Sequence, residues 1–206
     1  MAPTSSQKSR KVKALLAGGL VLGVGAAVTL AAWTDQEWAT GTFSAGTFDI
    51  EGSIDGTTWA SHASSGEAAA LSFELNADNL TPGDKVAEAF ALRTAAGTTY
   101  GATVDLIEAS SIGDNASNLS YEIFTVPAIG DCNADATAGT GTSIVSTGTA
   151  FSAGTPTATE FNLAAGSTAD AGSSTVLCFQ VIAGTGLIEG GDATATWGFE
   201  ATSQQP

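Results

Sequence analysis

The feature of this sequence that most constrains its fold is a series of short apolar runs with a period of two residues. Apolar and polar residues alternate within each run, and residues that favour turns separate the runs. After Ala31 no stretch sustains the 3.6-residue period of an amphipathic helix, apart from an ambiguous one at Gly66–Leu71. The pattern therefore predicts an all-β fold of about eight or nine strands. The predicted strands are Thr42–Ile50, Leu71–Leu75, Val86–Leu92, Tyr100–Leu106, Tyr121–Val126, Val176–Ile182 and Ala193–Ala201, with a weaker strand at Ser143–Ser146 or Glu160–Leu163.

Strands of this number and length predict two antiparallel sheets packed face to face, as a jelly-roll-like β-sandwich. One run, Val176–Ile182, is almost continuously apolar, so we expect a central strand that is covered on both faces. The dipeptide Pro82-Gly83 predicts a tight turn, because proline presets the first central φ and glycine accepts a positive one. Two segments rich in alanine, glycine and threonine, Gly130–Thr142 and Ser152–Thr159, are predicted to be surface loops with little to bury.

Charge is divided unevenly along the chain. Four of the six basic residues lie before Ala14, and all 21 acidic residues follow Ala31. A chain that begins at Ala32 keeps only Lys85 and Arg93 against those 21 carboxylates, a net charge of −19 compared with −15 for the whole sequence. This acidity excludes nucleic-acid binding, which requires a basic surface to neutralise phosphates.

The N-terminal region has the organisation of a secretory signal. A basic stretch precedes the uncharged apolar run Ala14–Leu30, and small residues lead up to Ala31. We therefore predict an apolar signal helix that is cleaved between Ala31 and Ala32, with transient membrane association during export to the cell surface or medium. The alternative is an uncleaved membrane anchor, because the run approaches the length that crosses a bilayer. Four glycines within the run argue against a permanent helix.

The chain contains two cysteines, Cys132 and Cys178. An even and sparse count in an exported protein predicts one disulfide between them. It would close a loop of 46 residues, for which the chain-entropy model gives about 4 kcal/mol of stabilisation. The alternative is a pair of buried thiols. Neither cysteine belongs to a CxxC motif, which argues against redox catalysis and zinc binding.

The sequence offers no catalytic constellation. His62 is the only histidine, and neither HExxH nor GxSxG occurs. The stretch Asp131–Asp135 begins like a calcium loop, but Ala136 and Thr142 stand where an EF-hand requires glycine and glutamate. We therefore predict no enzyme activity and no cofactor, although the acidic surface leaves room for adventitious calcium.

Four motifs occur in a specific order along the chain. They are Ala31-Ala32-Trp33-Thr34-Asp35, Phe43-Ser44-Ala45-Gly46-Thr47-Phe48, Leu80-Thr81-Pro82-Gly83-Asp84-Lys85 and Trp197-Gly198-Phe199-Glu200-Ala201-Thr202. As a set they resemble the TasA/camelysin family, whose signal peptides are processed by a specialised SipW-like signal peptidase. The resemblance covers roughly Ala14–Leu92 and the last ten residues, whereas Gly130–Ala171 has no clear counterpart.

The resemblance implies a secreted jelly-roll protein whose copies assemble into extracellular fibres of a biofilm matrix by donor-strand exchange. It also implies a signal peptidase as a partner during export, and other matrix components as further partners. On this basis the chain divides into a signal peptide at 1–31, a free N-terminal segment at 32–42 and a single β-sandwich domain at 43–206. The camelysin branch is described as a peptidase, but this sequence lacks the metal-binding motif and the second histidine that such an activity needs.

Residues 32–42 are the candidate assembly strand, with Trp33, Trp38 and Ala39 as its apolar groups. An incoming strand satisfies the unpaired backbone groups of an incomplete sheet. The alternative for this segment is that it folds back as an edge strand of its own domain. A second function class is a monomeric surface-associated binding module or adhesin on the same sandwich. Because a charge of −19 opposes self-association, we expect salt, divalent cations or low pH to promote it.

Overall fold

The structure is a computed structural model that describes residues 9–16, 35–42, 46–73, 77–139 and 141–204. The chain divides into two units, Met1–Ser44 and Ala45–Pro206. In the first unit, residues 9–16 are helical and exposed, and residues 35–42 are exposed without regular secondary structure. Most of the predicted signal helix lies outside the described residues. No helix in the described ranges is long and apolar enough to cross a membrane.

The second unit is an all-β sandwich of two antiparallel sheets, as the alternation of apolar residues predicts. One sheet has five strands in the order β1-β2-β7-β4-β5, and the other has three in the order β6-β3-β8. The strands are β1 (Ile50–Ser53), β2 (Lys85–Thr94), β3 (Ala102–Ile112), β4 (Leu119–Val126), β5 (Ser143–Ala150), β6 (Phe161–Leu163), β7 (Thr175–Ala183) and β8 (Thr194–Ser203). Short 3-10 turns lie at Ser65–Glu67, Ile129–Asp131 and Phe151–Ala153.

Strand β7 lies at the centre of the five-stranded sheet, between β2 and β4, which confirms the prediction for Val176–Ile182. Successive side chains of a strand point to opposite faces of its sheet. Leu177 and Phe179 belong to the core between the two sheets, whereas Val176 and Cys178 belong to a second apolar cluster. Both faces of β7 are therefore buried, and this explains why its sequence is apolar without alternation.

The second cluster is covered by an irregular segment, residues 127–139, rather than by a sheet. Cys132 in this segment forms the predicted disulfide with Cys178 of β7, with a distance of 5.2 Å between the two Cα atoms. Ile129, Ala136 and Ala138 pack against the same cluster. The expectation that this region has little to bury is therefore wrong, because the segment covers one face of the central strand.

A buried amide fastens the same segment to the sheet. Gln180 of β7 is fully buried, and its Nε2 donates to three backbone carbonyls at 2.9–3.2 Å. The acceptors are the carbonyl oxygens of Asn133, Ala134 and Ala136. Its Oε1 accepts a hydrogen bond from Lys85 Nζ at 3.2 Å. The polar group within this apolar strand is thus satisfied by the loop that covers it.

Two of the predicted strands differ in the structure. Of Thr42–Ile50, only Ile50 belongs to a strand among the described residues, and residues 43–45 lie outside them. Of Leu71–Leu75, residues 71–73 pair with no described strand, and residues 74–75 lie outside. The ambiguous Gly66–Leu71 contributes only to a 3-10 turn.

Other predicted strands form and extend further than the pattern indicates. Both weaker candidates are present, as β5 and β6. Strand β3 continues to Ile112 instead of ending at Leu106, with a bulge between Leu106 and Glu108. The bulge inserts Ile107, which breaks the period-two pattern at that point although the strand continues.

Candidate functional site

Strand β8 forms one edge of the three-stranded sheet. It pairs with β3, and no described residue forms a hydrogen bond with its other edge. With 10 residues it is longer than the other edge strands of the two sheets, β1 with 4, β5 with 8 and β6 with 3. Unpaired N–H and C=O groups along an edge of this length are a template for pairing with a further strand.

An open groove of about 910 Å³ lies beside this edge. One wall is formed by Ala193 and by β8 as far as Ala201, and the floor is apolar. The floor comes from the five-stranded sheet, with Ile50 of β1, Phe90 and Leu92 of β2, and Phe179 of β7. The groove is therefore a gap between the two sheets, on the side where the three-stranded sheet ends with β8.

Aromatic contacts fix the β8 wall of the groove. The ring centroid of Trp197 lies 4.9 Å from that of Phe179 and 5.6 Å from that of Tyr121. Phe199 lies 6.2 Å from both Phe179 and Phe161. These contacts hold β8 from its core-facing side and leave its outer backbone edge uncovered. Packing within the sandwich therefore fixes the position of β8 relative to the floor.

The rim of the groove is acidic. Its carboxylates are those of Asp49, Glu51, Glu108 and Glu200. Within the described part of the chain, only Glu51 among these four forms a salt bridge, in which Arg93 donates from Nε at 3.0 Å and from Nη2 at 2.8 Å. The Arg93 guanidinium also stacks on Trp59, 4.0 Å from the ring centroid. The other carboxylates oppose an acidic occupant unless salt screens them.

The predicted assembly strand is described in part. Ala31, Ala32 and Trp33, which include the predicted cleavage site, lie outside the described residues. Trp38 and Ala39 lie in the exposed stretch 35–42, and the Trp38 side chain is 87% exposed. An indole left in water to this extent is a large apolar surface for a partner to cover.

The family-motif residues Leu80, Pro82, Gly83 and Asp84 build the turn that precedes β2. Gly83 has a φ of 97°, and the Asp84 N–H donates to the Thr81 carbonyl at 3.0 Å. The Asp84 carboxylate accepts from the Thr81 N–H at 2.7 Å and from its hydroxyl at 2.9 Å, which lowers the pKa of Asp84. The Gly83 N–H donates to the Ala183 carbonyl at 2.9 Å. The turn therefore sets the start of β2 against the end of β7 and does not line the groove.

The residues considered for catalysis or metal binding are dispersed. His62 lines the groove, with its ring centroid 6.3 Å from that of Phe90. Asp131 and Asp135 are exposed, and the Asp135 N–H donates to Asn133 Oδ1 at 3.0 Å in a local turn. Among the residues that the structure describes, no three His, Cys, Asp or Glu side chains are grouped to hold a metal ion.

The groove itself is the site that the sequence does not reveal. Alternation identifies Phe90, Trp197 and Phe199 as strand residues, but it does not indicate which strands are neighbours. The feature that indicates the groove is the unequal number of strands in the two sheets. These numbers are known only once the sheet topology is known. Comparison with protein-family models and with curated proteins finds no match for this chain.

Proposed function

We propose that this protein is a secreted structural protein, a subunit of an extracellular matrix fibre, which assembles when residues 32–42 of one copy enter the groove of another. The observation that carries this proposal is the edge of β8, which has no backbone partner among the described residues and lies beside an apolar groove. A strand seated there gains backbone hydrogen bonds from β8 and apolar contact with the floor. One chain thus contains both an acceptor edge and a candidate donor.

The donor segment is close to the acceptor in length, and its Trp38 suits the apolar floor. Residues 32–42 number 11 against the 10 residues of β8, and the described part of the segment is exposed without secondary structure of its own. With Trp38 turned towards Phe90 and Leu92, the even-numbered residues of the segment face the floor, and Trp33 and Ala39 face the opposite side. Trp38 is the anchor of this interaction, because it is the largest exposed apolar side chain of the described segment.

A fourth strand beside β8 would extend the order β6-β3-β8 to four strands. Two sheets of four or more strands are typical of a jelly roll, and we propose this more specific fold for the assembled subunit. The resemblance to the TasA/camelysin family supports the same architecture. No catalytic centre is needed for such a role.

Export and processing precede assembly in this proposal. Cleavage between Ala31 and Ala32 by a signal peptidase frees the donor segment from the apolar run that would hold it at the membrane. The fibre then forms outside the cell from copies of the same chain, alone or with other matrix components. Because Asp35 and Glu37 of the donor approach the acidic rim, moderate salt, divalent cations or low pH should promote assembly.

Electron microscopy of two forms of the chain tests the proposal. A chain that begins at residue 32 is expected to form filaments, and one that begins at residue 41 is expected to remain monomeric. A synthetic peptide of residues 32–42 should terminate filament growth by occupying free grooves, whereas a scrambled peptide should have no effect. Monomers of both chains at high concentration and moderate salt would contradict the proposal.

A single substitution tests whether Trp38 is the anchor, because it removes the indole and keeps the rest of the segment. Trp38→Ser is expected to raise the concentration needed for filament formation about tenfold or more, because a buried tryptophan anchor dominates such interfaces. Ile112→Ser removes another exposed apolar side chain outside the groove and is the control. If both variants assemble like the unmodified chain, Trp38 is not the anchor.

The acidic rim favours a second candidate function, a monomeric binding module that accepts a neutral or basic strand from another protein. In that case the segment 32–42 pairs within its own chain or not at all. Light scattering across a wide range of protein concentration distinguishes the two candidates, since only the fibre subunit changes its mass with concentration.

A further inference from the structure

Residues 68–73 run along the groove after the 3-10 turn Ser65–Glu67. Their exposure alternates, with Ala69, Leu71 and Phe73 partly buried and Ala68, Ala70 and Ser72 exposed. This is the pattern of a strand with one face turned towards a core. Leu71 and Phe73 pack against the core between the sheets and line the groove together with β8.

The backbone of this segment is nevertheless unpaired. Within the described ranges, no hydrogen bond joins residues 68–73 to β8 or to any other element. No described residue pairs with their amide and carbonyl groups, and side-chain packing holds the segment against the core at the groove. Segments with few buried contacts and solvent-exposed backbone groups open at a low cost in free energy.

The segment is also uncharged, from Ala68 to Phe73. It therefore lies beside the acidic rim without electrostatic repulsion. The donor segment, by contrast, carries Asp35 and Glu37 to the same place. At low salt, repulsion from the rim therefore disfavours the donor relative to residues 68–73. Screening of the charges by salt reduces this difference.

We propose that residues 68–73, the resident segment, are a displaceable wall of the groove, which narrows the approach to β8 in the free subunit and moves away when residues 32–42 of a second copy pair with β8. This rests on the proposed function and adds the regulation of the same site. The incoming strand forms backbone hydrogen bonds that the resident segment lacks, so the exchange favours the donor once it is engaged. Binding of the donor is slowed because only the fraction of subunits in which the resident segment has moved away can accept it.

The first test measures how fast a fluorescent peptide of residues 32–42 binds to the monomeric, signal-cleaved chain. In the double variant Leu71→Ala/Phe73→Ala the resident segment loses its anchors, and the association rate is expected to rise about tenfold. Ser72→Ala alters an exposed side chain of the same segment and is expected to leave the rate unchanged. An equal or slower rate in the double variant overturns the displacement, because the two side chains then belong to the wall that the donor contacts.

A second measurement uses the unmodified chain and stands even if the double variant fails to fold. On peptide binding, hydrogen exchange should slow in β8, and cleavage by chymotrypsin at Leu71 and Phe73 should become faster. Slower exchange in β8 with unchanged or slower cleavage overturns displacement but leaves the proposed function intact. Absence of peptide binding to both the unmodified chain and the double variant, with no filaments, overturns both.

Discussion

An irregular segment lies against each face of the five-stranded sheet, on the core face beside the three-stranded sheet, and the two segments are fastened in different ways. On one face, residues 127–139 are joined to β7 by a disulfide and by three hydrogen bonds from Gln180. On the other face, residues 68–73 contact the core through Leu71 and Phe73 and have no backbone partner among the described residues. The first cover is permanent, and the second can be exchanged.

The difference shows how one sandwich provides both stability and an adaptable surface. Strand β7 supplies side chains to both faces, with Cys178 and Gln180 on the fastened side and Leu177 and Phe179 on the groove side. Covalent and polar contacts fix the first face, while the second retains an edge for a further strand. Four perturbations of these contacts follow, in order of decreasing expected effect.

Removal of the disulfide should have the largest effect. Cys132→Ala/Cys178→Ala opens a 46-residue loop and is expected to lower the free energy of unfolding by about 4 kcal/mol. Calorimetry should show a fall in Tm of about 10 °C. Limited proteolysis should then cut within residues 127–139, whereas cleavage within residues 68–73 should change little. An equal increase in cleavage of both segments would contradict the expectation that the disulfide fastens only residues 127–139.

Loss of the buried Gln180 amide should lower the free energy of unfolding less than loss of the disulfide does. Gln180→Leu leaves the carbonyls of residues 133, 134 and 136 without their donor, and the expected loss is about 2 kcal/mol. Gln204→Leu is the matched control, because Gln204 Nε2 also donates to two acceptors but is exposed. Its expected cost is about 0.5 kcal/mol or less. Chemical denaturation of the two variants measures the difference, and equal costs would show that burial of Gln180 is unimportant.

A substitution within residues 68–73 should lower the free energy of unfolding by a still smaller amount. Leu71→Ala removes part of a partly buried side chain, with an expected loss of about 1 kcal/mol in the free energy of unfolding. This is below the range of a fully buried leucine because the site is already open to solvent. The same denaturation experiment measures it. A loss as large as that of the disulfide would mean that residues 68–73 are an integral part of the core.

The smallest effect concerns the loop that brings Trp59 to the fastened face. Asp55 accepts hydrogen bonds from the N–H groups of Thr57 and Thr58, which lowers its pKa below the ordinary value of 3.8. A lowered folded-state pKa contributes stability that is complete above the unfolded pKa and is lost as the pH falls towards the folded one. Tm should therefore depend less steeply on pH below about pH 4 in Asp55→Asn than in the unmodified chain. Asp78→Asn, at an exposed position, is the control.

Much of the fold follows from the sequence, because a sandwich core imposes alternation on its strands. The apolar run of β7 correctly predicts a central strand, and the two cysteines correctly predict the disulfide. The covering role of residues 127–139 is not predictable from composition, since alanine and glycine indicate a solvent-exposed loop. It depends on the disulfide and on Gln180, whose partners are backbone carbonyls that leave no mark in the sequence.

The candidate site is harder to predict for a related reason. Leu71 and Phe73 have the alternation of a strand, and the structure turns them towards the core as that alternation implies. Whether these residues pair with another strand, however, depends on the position of a neighbouring strand edge. The alternation of apolar residues does not indicate that position. The same limit applies to the groove, which is defined by the strand order β6-β3-β8 and not by any local motif.

The position of β8 in the chain has a consequence for the order of events during synthesis. β8 follows every other strand, and its partner β3 lies early in the sandwich, so this pairing closes a long loop. Contacts between such distant residues form late and slowly. The outer edge of β8 therefore comes into existence only after the rest of the sandwich, whereas residues 32–42 leave the ribosome first. Under the proposed function, a nascent chain would offer a strand before it could receive one, and this order would protect incomplete chains from capturing their neighbours.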